Sequence, residues 1–277
     1  MNYNKLKQIS ISYDHSGLDI PIDTSKFSKI YGFYHIFCTN DWKTIVHEQV
    51  TDLQKTGLYD LVNKIHVCVI TENIEDIHHL TDYFPEKFEI VIQSKNPKEY
   101  EYPILRYLYE KSKCEDFLCF YFHTKGVTFS KKSKNKGEES WRLLMEYFIF
   151  EKYNLAINAL QIGYSCYGAL PRTYNGNHYF GGNFWWTTSK YVTTLPEPIP
   201  PDVNDRYYAE FWIGHSSVCK PYITYSSSVN TYHNPIPDAL YKNRSIKISD
   251  ILPVIKCYLS HIICGLFYRY FKRTRNI

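Results

Sequence analysis

The chain carries no GxGxxG after a first strand, no GxxxxGK[ST], no GxSxG and no CxxC pair. Dinucleotide and P-loop readings therefore fail at the level of the motif, as does a hydrolase built on a nucleophile elbow. The eight cysteines (Cys38, Cys68, Cys114, Cys119, Cys166, Cys219, Cys257 and Cys264) are scattered, and three of them sit inside apolar runs. They read as reduced core residues, not as zinc ligands or a disulfide framework. Met1 to Ser12 lacks an apolar stretch, so no signal peptide is expected and the body is assigned to the cytoplasm. Basic charge is sparse outside one region. Residues 251–277 hold Lys256, Arg269, Lys272, Arg273 and Arg275 and no acid, and without them the net charge of +4 becomes −1. A near-neutral body lacks the basic face that nucleic acid demands.

Aromatic residues, by contrast, are plentiful: they make up 17% of the 277 residues, and 27 are Tyr. That content is too rich for disorder. It fits a globular protein with stacking surfaces for sugars or bases, or else the codon drift of an AT-rich genome. The length suits one large α/β domain with a tail. Residues 1–30 read as an N-terminal extension, 31–245 as the domain, and 246–277 as a basic, aromatic tail.

Tyr31 to Thr39 reads as a first strand, Asn40-Asp41 as a cap and Trp42 to about Leu53 as a helix. Lys64 to Thr71 and Phe88 to Gln93 are the next strands, with a short helix from Glu75 to Phe84 between them. Tyr102 to Lys113 is helical, and Asp116 to Phe122 is a fourth strand. Such alternation implies a mainly parallel, doubly wound sheet of the kind that binds nucleotides. Next comes the lysine run Lys131 to Lys136, which is either a lid over an anion or solvated surface. A long helix from about Glu138 to Leu160 follows, then a strand from Tyr164 to Leu170 and a glycine-interrupted aromatic strand from Tyr179 to Thr188. After a proline-stiffened connector, Asn204-Asp205 caps a helix bearing Glu210. A strand from Pro221 to Tyr225 leads to His233.

Four constellations can carry chemistry. His123, Thr124, Lys125 and Gly126 stand at the carboxyl end of the fourth strand, where open α/β sheets bind ligands. An ammonium there can stabilise a diphosphate leaving group, although a solvent-facing lysine in a turn would look the same. Gly181-Gly182-Asn183-Phe184-Trp185-Trp186 offers close backbone approach, an amide and an indole face for a sugar ring. Adjacent strand residues face opposite ways, so at most one of Trp185 and Trp186 can face a cleft. Glu210, among Tyr207, Tyr208, Phe211 and Trp212, suits a buried general base of raised pKa; its spacing from Arg206 also permits a surface ion pair. His233 can bind a divalent metal or the diphosphate.

FHTKG, then Trp141-Arg142 on the following helix, YFGGNFWW, RYYAEFWI and a late histidine together resemble a family of GT-A-fold glycosyltransferases, including bacterial rhamnan-synthesis and surface-polysaccharide enzymes and relatives in giant viruses. The matching region runs from about Tyr31 to His233. The resemblance implies an α/β, GT-A-like single domain with a mainly parallel central sheet, and transfer of a hexose or deoxyhexose from a nucleotide-diphosphate sugar to a hydroxyl of a growing glycan. By it, Gly181 and Gly182 match the glycine loop near the acceptor, with Asn183, Trp185 and Trp186 beside it. Glu210 falls at the catalytic acid, and His233 at the histidine that contacts metal or phosphate. Most such enzymes place an Asp-X-Asp after the fourth strand to hold Mn²⁺ or Mg²⁺. Here His123-Thr124-Lys125 stands instead, which favours Lys125, with Arg142, as direct partners of the diphosphate over a metal. If Glu210 is the base, the reaction is a single displacement with inversion. The missing Asp-X-Asp also fits an inactive sugar- or nucleotide-sugar-binding module. The tail from Ile251 to Phe271 is too polar for a span but can lie in a membrane interface near a lipid-linked acceptor, or pack on the body.

Overall fold

A computed structural model of the chain describes residues 3–27, 29–128, 136–174, 176–200, 205, 207–242, 244–252, 254–256 and 259. A short helix α1 (Tyr3–Gln8) and strand β1 (Ser10–Ser12) precede the core. There follow β2 (Ile30–Phe37), α2 (Trp42–Lys55), α3 (Leu58–Leu61), β3 (Lys64–Ile70), α4 (Ile74–Tyr83), β4 (Phe88–Ser94), α5 (Tyr102–Ser112) and β5 (Leu118–His123). β2 and β5 are runs of aliphatic and aromatic residues buried along almost their whole length, as strands covered on both faces must be. α4 starts where the Asn73 side chain accepts from the Glu75 amide, with Glu75 and Asp76 in its first turn.

The second half comprises α6 (Lys136–Glu146), a π-turn at Tyr147–Glu151, α7 (Tyr153–Gln161), β6 (Cys166–Gly168), the hairpin of β7 (Pro171–Tyr174) and β8 (Asn177–Phe180), β9 (Trp185–Thr188), α8 (Ser189–Val192), α9 (Tyr208–Phe211), β10 (Pro221–Ile223) and β11 (Tyr225–Ser227). The central sheet has the order β10-β6-β9-β5-β2-β3-β4. Every pairing in it is parallel except those of β9, which runs antiparallel to both β5 and β6. The chain is thus an α/β protein with a mainly parallel central sheet.

Several boundaries differ from the sequence reading. The expected helix over 138–160 is interrupted by the π-turn, which lets four successive apolar residues, Tyr147 to Phe150, all be buried. Side chains serve the carbonyls there: Tyr167 donates to Phe148 O at 3.1 Å and Trp186 Nε1 to Ile149 O at 2.9 Å. The expected strand over 179–188 is two strands in different sheets, β8 and β9, separated by a turn at the double glycine. The expected strand over 221–225 likewise divides, β10 joining the central sheet and β11 pairing with β1. That last pairing ties the N-terminal residues to the body, and Asn158 Nδ2 reinforces it by donating to Leu18 O and Ile20 O, each at 2.9 Å.

The sheet carries a core on each face. Phe120, Phe122 and Trp186 belong to one; Phe33, Tyr121, Trp185 and Trp212 belong to the other.

Candidate functional site

In the sheet order, β2 has β3 and β4 on one side and β5 on the other, so the direction of winding reverses between β2 and β5. Open α/β sheets leave a crevice at the carboxyl ends of such a strand pair. A cavity of about 260 Å³ occupies that place, lined by His35 and Phe37 of β2 and by His123, Thr124 and Lys125 at the end of β5. The loop into α5 adds Tyr100 and Glu101, α6 adds Glu138, α9 adds Glu210, and Tyr232 closes the rim.

The floor is rigid. His35 and His123 are register partners on the two adjacent strands. Burial holds both imidazoles near pKa 4, with the Lys125 ammonium adding to the effect on His123, so both are neutral at neutral pH. His123 Nε2–H donates to Gly182 O at 3.0 Å, which fixes its tautomer; its Nδ1 lies 3.9 Å from Glu101, beyond hydrogen-bond length. Glu101 accepts from Tyr121 Oη at 2.7 Å and from Asn183 Nδ2, while Asn183 Oδ1 accepts from Trp185 Nε1 at 2.7 Å. Two of these residues hold left-handed backbone, Tyr100 at φ +47° and Asn183 at φ +58°. For the bulky Tyr100, that conformation is strained, and strain of this kind concentrates at ligand sites.

The walls hold reactive groups. Lys125 lines the cavity, and its Nζ rests 4.0 Å from the centroid of the Trp141 ring, a cation–π seat. Trp141 is in turn held by Nε1–H donation to Gly181 O at 3.1 Å and by edge contact with Tyr232. Glu138 is buried, and its Oε2 has no hydrogen-bond partner among the described residues; burial raises its pKa, with the Lys125 charge opposing. Glu210, half-buried on α9, makes no ion pair among the described residues.

Of the residues singled out in the sequence, His123, Thr124, Lys125 and Glu210 therefore surround one cavity. Thr124 is partly committed to the fold: its Oγ1 accepts from the Phe37 amide at 3.1 Å and bridges the ends of β2 and β5. His123, read from the sequence as a potential cation, is neutral for the reason given. Arg142 does not face the cavity. It is 2% exposed and pairs with Glu146 at 2.9 and 3.0 Å and with Glu48. Gln49 joins Glu146 to the backbone of the site by donating to His123 O at 3.0 Å. Trp185 and Trp186 are both fully buried, packed on Tyr121 and Phe120 on opposite faces of the sheet, and neither offers a face to a sugar. The double glycine serves packing. Gly182 has φ +93°, and a Cβ there would lie 2.5 Å from the Met145 sulfur, so no space remains for a ligand. Asn183 spends its amide on Glu101 and Trp185. His233 is exposed on a turn beside Tyr232 and is not part of the lining. Arg206 and Asn204, residues 131–135 of the lysine run and residues 260–277 lie outside the described residues.

His35, Glu101 and Glu138 were missed. His35 is masked by its apolar strand, and Glu101 and Glu138 look like ordinary first-turn acids; only the fold brings them to the crevice. Among the described residues, no group of three or more His, Cys, Asp or Glu side chains is placed to hold a metal ion.

No protein-family model matches the chain, and no curated protein matches it in sequence. Among solved structures, it is similar to the crystal structure of 4-diphosphocytidyl-2C-methyl-D-erythritol synthase from Anaerococcus prevotii, with a TM-score of 0.37 and 11% identity over 84% of this chain and 99% of that one. A likeness of that depth carries no argument about chemistry, which rests on the site itself.

Proposed function

We propose that the chain is a glycosyltransferase that moves a hexose or deoxyhexose from a nucleotide-diphosphate sugar to a hydroxyl of a glycan, with inversion. The observation that carries this reading is the meeting of Lys125 and Glu210, neither ion-paired among the described residues, across one cavity at the β2–β5 crevice. In the proposed step, the acceptor oxygen attacks the anomeric carbon while Glu210 takes its proton. The bond from that carbon to the phosphate oxygen breaks, and the nucleoside diphosphate leaves with the electron pair. Lys125, held over Trp141, neutralises the developing charge on the leaving group without reorganising. Glu101, Asn183 and Trp185 keep the floor in place, and no step is routed through a metal.

A binding module without turnover is the second reading, favoured by the His123-Thr124-Lys125 sequence where paired carboxylates would stand. Donor hydrolysis in the absence of acceptor separates the two. A transferase leaks sugar to water and loses this on Glu210→Gln, whereas a module binds donor and releases no sugar. A Glu210→Gln protein that retains most of its turnover would disprove the base assignment.

A further inference from the structure

Beyond residue 245 the chain presents an apolar surface to solvent. Residues 248–252, 254–256 and 259 are helical, with Ile248 77% exposed and Leu252, Ile255 and Leu259 each exposed by two-fifths or more. Their spacings of four, three and four residues put them on a single helix face. Val254, on the other side, is buried in the main core, so the helix is anchored to the body by one side and bare on the other. Ile246 extends the bare patch. Elsewhere in the described chain, exposed large apolar side chains are more thinly scattered, which is the ordinary state of a surface.

The charges nearby point to what covers this face. Residues 244–259 hold Arg244, Lys247 and Lys256 against one acid, Asp250; Arg244 is shared between Asp250 and Asp238, and Asp250 also accepts from the Lys247 amide. The eighteen residues that follow Leu259 add Arg269, Lys272, Arg273 and Arg275 and no acid, among further apolar and aromatic residues. An apolar helix face combined with a purely basic continuation matches a surface that is apolar below and anionic above.

We infer that the face formed by Ile248, Leu252, Ile255 and Leu259 docks on an anionic lipid surface, with the basic continuation adding electrostatic attraction. The mode is peripheral: no helix among the described residues is long and apolar enough to cross a membrane. This inference does not depend on the chemistry of the cavity, whose lining includes no residue beyond Tyr232, and it stands even if the glycosyltransferase reading fails.

Flotation of the full chain with vesicles tests it. The protein is expected to float with phosphatidylcholine vesicles containing phosphatidylserine and to stay down with phosphatidylcholine alone; raising the salt should weaken the binding, because the lipid charge is screened. Leu252→Ser with Ile255→Ser, both on exposed positions, is expected to lower the partition coefficient by about tenfold or more, the loss anticipated for two apolar side chains kept from lipid. Deletion of residues 260–277 is expected to abolish the preference for anionic lipid. Equal flotation with both vesicle types, no flotation at all, or unchanged binding by the double variant with its melting temperature intact would overturn the inference. So would a concentration-dependent dimer, broken by the double variant, that shows no lipid binding, since a second copy of the chain would then be what covers the face.

Discussion

Two cavities flank helix α6, and they differ in what their charges are committed to. The larger, about 490 Å³, lies between α6 and residues 235–250 and is ringed by carboxylates. Most of these are matched within the fold: Glu146 by Arg142, Glu151 by Lys242 at 3.0 Å, and Asp238 and Asp250 by Arg244. The smaller, at the end of β2 and β5, holds Lys125, Glu138 and Glu210 with no ion pair among the described residues. Volume favours the first and chemistry the second. Folding leaves polar groups unmatched in a cleft only where something else supplies their partners, because burying them alone costs about 1–3 kcal/mol each. Uncommitted groups therefore identify the site better than size.

The comparison can be broken from either side. The largest expected effect is on Glu210→Gln, which should lower turnover by about 10²–10⁴-fold, as for a lost general base, while the donor dissociation constant measured by calorimetry stays within about twofold. Loss of binding and turnover together would make Glu210 a binding residue. Arg142→Met comes next. It should leave Glu146 buried without its cation and cost about 3–5 kcal/mol in urea unfolding, with donor affinity of the folded protein little changed. If affinity falls and stability does not, Arg142 reaches the ligand after all.

Acid should act through the buried groups of the fold. His35, His66 and His123 are each held by burial near pKa 4, below the ordinary 6.5. The unfolded chain then binds protons that the folded one refuses, so stability is full above about pH 6.5, falls as pH drops toward 4 and levels off below. The limit is roughly 3 kcal/mol for each histidine. Carboxyls act with the opposite sign, since burial raises Asp52 and Glu146 at the larger cavity and Glu138 at the smaller, and their protonation in the fold offsets part of the loss. Urea titrations between pH 7 and 4.5 should show a net fall, and a flat or rising profile would contradict the histidine shifts. The smallest effect is expected for Lys242→Ala at the larger cavity: its pair with Glu151 is solvent-exposed, so unfolding stability should change by less than about 1 kcal/mol and donor binding should not move.

The first half of the fold was legible because its signals are local. Continuous apolar runs bounded by Pro85, Pro97 and polar turns mark β2 to β5. The second half was less so. In YFGGNFWW, alternation continues across the glycines as though one strand ran through, and nothing nearby reveals that Met145 and Trp141, about 40 residues earlier, need the space at Gly182. Lys125 and Glu210 could be singled out because one ends a strand and the other sits in an aromatic cluster. Arg142 looked equally suitable, and its commitment to Glu48 and Glu146 follows from how α6 packs on α2, a long-range fact with no local trace. The same holds for His35, Glu101 and Glu138, which share the crevice only once β2, α5 and α6 are assembled around it.

The most direct measurement is the position of the diphosphate in crystals soaked with nucleotide-sugar donors. The pyrophosphate is expected at the carboxyl ends of β2 and β5, within hydrogen-bond reach of Lys125 Nζ, with the sugar directed toward Glu210. Density for it in the larger cavity beside Tyr147 and Tyr241, or anywhere remote from Lys125, would contradict the assignment of the site and the mechanism with it.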